Sequence, residues 1–422
     1  MREKVALGRA RAACRHGTRA NEHCPESQHA VSVYDFLKRI GPLRTAVRGV
    51  RGWIYRYRVD AWILSGKERH SGQPLTVLVA GQLENKNYIR EVMFEQPCVE
   101  THRRMWRRSV RRRLRVSGGS FSVVVYDTTE PPERTLKDTR TYYLPNWVIT
   151  ELDLAAANKR LEQSENARKD VKRILRKGYG YTISTAATDF EMFYDSMYLP
   201  YLARRFGGQG MAVPRDLFTK GTQADAELLV VTWNGEPVAG VVLRYSDGEP
   251  PAAWILGVRG GDLELVKQHV LMALHYFEVK HVSEKGLTRL QLGGARPFLR
   301  DGVLQFKKKW GAKIMSAHEH ERQWFALRIV DDSPGARSFL THNPFVYEDE
   351  RGLAGTGSLT GVAVEVETAE RYLRQEFQAL GIDRYETAAI WAQGTERASE
   401  RAGETFPGNM QKNAARANDW NG

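Results

Sequence analysis

Apolar residues recur along this chain in two rhythms. Runs rich in β-branched and aromatic residues predict strands at "RGWIYRYRVDAWIL" (51–64), "PLTVLVAGQ" (74–82) and "SFSVVVYD" (120–127). They make residues 31–149 an α/β or α+β region. From residue 152 the helical rhythm sharpens. "LDLAAANKRLEQSENARKDVKRILRKG" predicts one long helix, with Leu154, Leu161, Val171, Ile174 and Leu175 on one face and Gly178 as its stop. "YGYTIST" predicts a strand. "TDFEMFYDSMYLPYLARRFGG" opens with Thr188 and Glu191 at capping-box spacing, ahead of Phe190, Phe193 and Met197. Pro200 must bend or interrupt that helix, and Pro214 suits the first position of a short one.

A meander comes next. "AELLVVTW" and "PVAGVVLRY" flank Asn234-Gly235, which supplies the positive φ angles of a tight hairpin, and "AAWILGV" follows. After Gly260-Gly261, Leu263, Val266, Val270, Ala273, Leu274 and Phe277 predict a second long helix, ended by Gly286. "LTRLQL" reads as a strand and "DGVLQFKKKW" as a short helix. "AKIMSAHEH" and "RQWFALRIV" read as closing strands, and the segment after residue 330 as an appended strand and helix.

Bulk properties sharpen this picture. A chain of 422 residues exceeds what one core organises, so two or three domains are expected. The boundaries read as a basic disordered start (1–29), an N-terminal α/β domain (30–150), a second domain (151–330), an appended segment (331–394) and a disordered tail (395–422). No apolar run reaches the roughly 18 residues that span a bilayer, and no apolar segment follows the basic N-terminus. Cys14, Cys24 and Cys98 are too scattered for a disulfide framework or zinc site, so a reducing cytoplasm without a bound metal is expected.

The net charge of +13 favours anionic partners. It concentrates in "RRMWRRSVRRRLR" (103–115), where a helix would carry Trp106, Val110 and Leu114 on one stripe. Such a helix is either a solvated face pinned by that stripe or a contact for nucleic acid or an anionic membrane surface.

The most distinctive stretch is "LGGARPFLRDGVLQFKKKWG", a strand ended in glycines and followed by a helix carrying Phe306 and Lys307. With Asn166, Arg168, Lys169, Lys172 and Arg173, the "FEMFYDSMYLPYLARRFG" segment (Phe190, Phe193, Tyr194, Met197, Pro200, Arg205, Gly207), Gly235 and Val238-Ala239-Gly240, it resembles the FemAB-like branch of the GNAT acyltransferase superfamily over residues 152–330. The resemblance implies an α/β (α+β) class, a GNAT-like mixed sheet with splayed central strands flanked by helices. Such proteins carry two domains in tandem, so residues 30–150 are a candidate degenerate first copy.

It also implies a bacterial N-acyltransferase, passing an acyl group from acyl-CoA (acetyl-CoA) to an amine of a polysaccharide or cell-envelope precursor. The alternatives are a peptidoglycan aminoacyltransferase using aminoacyl-transfer RNA, and a silent protein binding nucleic acid or membrane through its arginines. In this fold the strands near Trp254–Val258 and Leu287–Leu292 part at their carboxyl ends, and Gly293-Gly294 leave the gap unblocked. Gly257, Val258, Arg259, Gly260, Gly293, Gly294 and Phe306 are then donor-binding, although Asp262 reads as a helix cap that competes with a donor phosphate. Val303, Phe306 and Trp310 seat the following helix, Lys307 edges the cleft as a cation for a phosphate or oxyanion, and Lys308 and Lys309 face water or an anion. Asp301 is the first candidate base, with an N-cap as its plain alternative. Tyr194, Arg205, Trp254 and Arg296 are assigned to the acceptor. His269, His275 and His281 lie on the second long helix, with His269 nearest its apolar face.

Overall fold

The computed structural model describes residues 57–114, 120–129, 141–207, 210, 212–223, 225–317, 323–358 and 366–388. The elements below lie in one compact unit that begins at Arg58. Both tails, and the first residues of the strand expected at 51–64, lie outside the described residues.

The chain opens with a hairpin, β1 (Arg58–Lys67) and β2 (Pro74–Ala80), then helix α1 (Leu83–Met93). Strand β3 (Val99–Trp106), α2 (Arg107–Arg113), β4 (Val123–Thr128) and β5 (Thr141–Pro145) follow. Next come β6 (Val148–Asp153), α3 (Leu154–Gln163), α4 (Glu165–Arg176) and β7 (Tyr179–Ser184). Helix α5 (Ala187–Phe193) runs through a π-helical turn (Tyr194–Tyr198) into α6 (Leu199–Phe206), and α7 spans Arg215–Gln223. The meander β8 (Ala226–Trp233), β9 (Glu236–Arg244) and β10 (Ala252–Val258) leads to α8 (Leu263–Lys267) and α9 (Val270–Glu284). Strand β11 (Arg289–Ala295), α10 (Gly302–Lys309), β12 (Lys313–Met315) and β13 (Trp324–Ile329) complete the part that frames the site. Helix α11 (Pro334–His342), β14 (Phe345–Asp349), β15 (Gly352–Gly357), α12 (Val366–Phe377) and β16 (Tyr385–Thr387) form the C-terminal segment, whose strands make a small third sheet.

Two larger mixed sheets repeat one arrangement. The first runs β3-β1-β2-β4-β13-β5 and the second β12-β6-β11-β10-β9-β8-β7. Each holds one parallel pair, β2 with β4 and β10 with β11, between antiparallel neighbours. The chain is shared between the halves: β6 pairs with β11 in the second sheet, and β13 pairs with β4 and β5 in the first. This corrects the expectation that "RQWFALRIV" closes the second domain. A fully buried run such as β13 carries no register information of its own, so its sheet is chosen by the two strands that flank it. The pairs also differ. β2 and β4 stay in register from Val77–Val123 to Ala80–Tyr126, whereas β10 and β11 meet only at Ala252–Gln291.

Several local expectations changed. The long helix expected over 152–178 is two, α3 and α4, because Ser164 turns extended (φ −75°, ψ 123°) and its hydroxyl accepts the Ala167 N–H. A serine gains more as an N-cap than inside a helix, and Leu175 is left exposed. No capping box forms at Thr188; α5 starts at Ala187 without a side-chain cap, and Ser184 bonds Asp189 instead. Pro200 does interrupt its helix, as expected: the π-helical turn precedes it, and widening the ladder accommodates the missing N–H. The helix after Gly261 is broken at His269, which is left-handed (φ 71°) and half-buried beside Arg173 rather than in the core. The arginine-rich stretch is half strand and half helix. Trp106 ends β3, Val110 and Leu114 are buried, and Arg103, Arg108, Arg112 and Arg113 are exposed; Arg115 lies outside the described residues.

Candidate functional site

The gap between β10 and β11 is made by one extra residue. Gln291 pairs with Glu151 and Gly294 with Ile149, so Leu292 and Gly293 face Thr150 alone across the β11/β6 ladder. Such a bulge bends its strand and sharpens the twist. Gly293 absorbs it at φ 71°, and a Cβ there would lie 3.0 Å from the Ala253 carbonyl oxygen, so glycine is required on both counts. Its carbonyl leaves the ladder and accepts the Thr150 hydroxyl at 2.8 Å.

The same carbonyl accepts the Lys307 ammonium at 3.1 Å, and that of Gly294 accepts it at 2.7 Å. Lys307 therefore lies beneath the gap, not at its edge: it is 5% exposed. Helix α10 is rotated from the expected seating, with Leu304 and Lys307 buried and Val303 and Phe306 half-buried. Burial pulls the Lys307 amine down to about 7, against the raising influence of Glu278 and Asp301. Lys308 reaches the Phe377 carbonyl at 3.4 Å, whereas Lys309 faces solvent as expected.

Behind Lys307 lies a pair on α9 that the sequence reading did not assemble. Glu278 is wholly buried, and His275 Nδ1 lies 2.5 Å from one of its carboxylate oxygens. The other oxygen has no hydrogen-bond partner among the described residues. The His275 ring packs on Phe306 and Trp310, with centroids 5.1 and 6.0 Å away. The available signal was a histidine and a glutamate one turn apart on a helix that is apolar nearly all round.

Asp301 is the N-cap of α10. Its carboxylate accepts the Val303 and Leu304 N–H groups, each at 3.0 Å, while burial raises its pKa in spite of those bonds. The cap reading therefore replaces the free base. Asp262 caps α8 as expected, accepting the Glu264 N–H at 2.8 Å.

The residues expected to bind the donor divide into two groups. Gly293, Gly294 and Phe306 surround Lys307. Val258 is buried, and Gly257 is needed for packing, since a Cβ would sit 2.5 Å from the Met197–Tyr198 backbone. Arg259 is solvent-facing beside Glu236, and Gly260 is an open left-handed turn (φ 60°). The acceptor residues also separate. Tyr194 is buried, donates to the Val213 carbonyl at 2.7 Å and packs on Phe218, which in turn stacks on Trp254. Arg205 is exposed on α6. Arg296 is 5% exposed and stacks on Tyr88 and Trp147, its guanidinium 4.6 and 4.1 Å from the ring centroids. It donates to the backbone and side-chain oxygens of Asn146, and burial pulls it down to about 10.

Among the described residues the first sheet shows no such gap, since β2 and β4 stay paired to Ala80–Tyr126. Just past that last pair, the Asp127 carboxylate of β4 accepts the Gln82 N–H at 2.7 Å and the Asn85 amide at 2.9 Å, and so fills the space at the start of α1.

No family model and no curated protein matches the chain. Among solved structures it is similar to the C-terminal DUF2156 domain of a protein assigned as a lysylphosphatidylglycerol synthetase from Agrobacterium fabrum, with 14% identity, 66% of this chain and 83% of that one covered, and a TM-score of 0.32. For L-PGS from Bacillus licheniformis the values are 13%, 64%, 85% and 0.33. For a tandem GNAT protein of the clavulanic acid biosynthesis pathway they are 11%, 63%, 82% and 0.26. What makes this fold GNAT-like is its own topology: a mixed sheet whose central parallel strands part beside Gly293.

Proposed function

We propose that the chain is an N-acyltransferase of the FemAB-like kind that works in the gap between β10 and β11. The observation that carries this reading is the parting of those strands directly above a buried lysine. Past Ala252 the inner edge of β10 has no β11 partner, so its backbone groups are available to an extended acyl donor. As a free amine, Lys307 spends both N–H bonds on Gly293 and Gly294 and keeps its lone pair. A base that titrates near neutrality is suited to take the proton an attacking amine must lose.

Two donors are consistent with the resemblance, acyl-CoA and aminoacyl-transfer RNA. Asp262 favours the second. Its carboxylate occupies the Glu264 amide at the start of α8, one that a pyrophosphate would need, and its charge opposes one. The net charge of +13 and the exposed arginines of β3 and α2 suit a polyanionic donor as well. An amine of a polysaccharide or cell-envelope precursor as acceptor rests on the resemblance alone. Among the described residues no helix is long and apolar enough to cross a membrane.

The test is a side-by-side assay of the full chain with acetyl-CoA and with alanyl-transfer RNA, following thiol release and deacylation against a panel of amino-sugar and peptide amines. Amine-dependent release with either donor, lost in Lys307→Met, is the expected result. Binding of transfer RNA without turnover of either donor would leave a binding protein instead.

A further inference from the structure

We propose that Glu278, held in place by His275, is the counter-charge for the ammonium that forms on Lys307 during transfer, and so a positioning residue of the reaction. The inference rests on the acyl-transfer reading for its purpose but on separate observations for its geometry.

A wholly buried carboxylate is costly unless something answers its charge. Among the described residues Glu278 bonds His275 through one oxygen, and its second oxygen has no partner. His275 is itself 3% exposed and covered by Phe306 and Trp310, so solvent does not supply the missing donor. Lys307 is the complementary case, a buried amine whose hydrogen bonds among the described residues go to neutral carbonyls and to no carboxylate. The Gly293 and Gly294 carbonyls of β11 bond it, and the charges of Glu278 on α9 and Asp301 at the start of α10 both act on it; His275, which holds Glu278, packs its ring on Phe306, the residue next to Lys307. Asp301 accepts two backbone N–H groups on one oxygen and a hydrogen bond from Tyr88, whereas Glu278 keeps a buried oxygen with no partner among the described residues. Its negative field pulls against burial and keeps the amine protonatable near neutrality.

In the step this serves, an acceptor ammonium gives one proton to the Lys307 lone pair. The freed amine forms a C–N bond to the acyl carbon, and the bond from that carbon to the donor oxygen or sulfur breaks, its electron pair leaving on that atom. The second proton lost by the nitrogen goes to the leaving group, and the first passes from Lys307 to solvent. Each turnover thus releases one proton, one amide and one protonated leaving group. The charge on Lys307 exists during the bond exchange, when Glu278 offsets it.

The experiment follows the titration of Lys307 in the full chain by NMR with isotope-labelled lysine, assigned by its loss in Lys307→Met. Glu278→Gln is expected to lower the Lys307 midpoint by about one pH unit or more, since a neighbouring opposite charge is what raises it. The acid limb of kcat/KM should move down in parallel. Should that variant fail to fold, Glu278→Asp, which retracts the charge without removing it, is expected to give a smaller shift of the same sign. A Lys307 midpoint unchanged in the folded variant overturns the proposal. A midpoint that moves while neither acetyl-CoA nor alanyl-transfer RNA is turned over supports the charge coupling and removes the acyl-transfer reading.

Discussion

The Lys307 ammonium lies 2.7 Å from the Gly294 carbonyl oxygen, so the helix after the break is fastened to the break itself. A contact of this kind couples the shape of the gap to the protonation of one amine. It also makes Lys307 part of the fold as well as the chemistry, which decides how the residue can be tested.

Truncation and isosteric replacement of Lys307 should behave differently. Lys307→Ala leaves two carbonyls without their donor and opens a void, a combination expected to cost about 2–5 kcal/mol. Lys307→Met fills the volume and removes a buried charge, so the fold should persist. If the lysine is the base, kcat/KM of the Met variant falls by roughly 100-fold or more. Urea unfolding and steady-state kinetics on the two variants separate the effects, and a Met variant with full activity would remove Lys307 from the mechanism.

The pH dependence of stability carries a signature of the same residue. Native Lys307 loses its proton at about 7, whereas in the unfolded chain it holds it to the ordinary lysine value of 10.5. Between those values the unfolded state binds more protons, so stability rises with pH across that window. The difference between wild type and Lys307→Met, measured by denaturant titration from neutral pH upward, should show this rise. A flat difference would mean that the amine is not buried in the way described.

Gly293→Ala tests the bulge. The left-handed backbone costs a residue with a Cβ about 1–2 kcal/mol, and the added atom would meet the Ala253 carbonyl oxygen at 3.0 Å. We expect a lower unfolding midpoint together with loss of transfer, because the strand must shift toward or away from β10. Gly302→Ala is the control, since nothing lies near its Cβ.

Glu227 provides an acid-side prediction away from the gap. Burial alone would raise its pKa, but hydrogen bonds from Lys285, His281 and Tyr245 outweigh this and hold it at about 2, against 4.5 in the unfolded chain. Its contribution is present above pH 4.5 and lost as the pH falls toward 2. Glu227→Gln should flatten that part of the acid-unfolding curve, and an unchanged curve would show that the cluster contributes nothing.

The sequence by itself determined β7 to β12 of the second sheet and the place of the break, but not β6, whose last residues it read into the following helix. Asn234-Gly235, Gly286 and Gly293-Gly294 are legible because positive φ angles and strand exits need glycine or asparagine whatever surrounds them. β8 and β9 were placed by short apolar, β-branched runs bounded by turn residues, and β10 by the alternation of its buried positions. Local pattern failed where two uses of one residue type compete. Ser164 is polar in either a helix or a cap, and His269 looks like a core position until the chain turns there.

What only the tertiary structure decided is which charges are buried together. Lys307 lies on a different element from Glu278 and His275, and the sequence, which sets it at the cleft edge, does not show that packing turns it inward to full burial. The exchange of β6 and β13 between sheets was likewise set by strand partners distant in the chain. Local chemistry fixes where a backbone can bend; the energy of desolvating a charge depends on everything packed around it, and that appears only when the chain is folded.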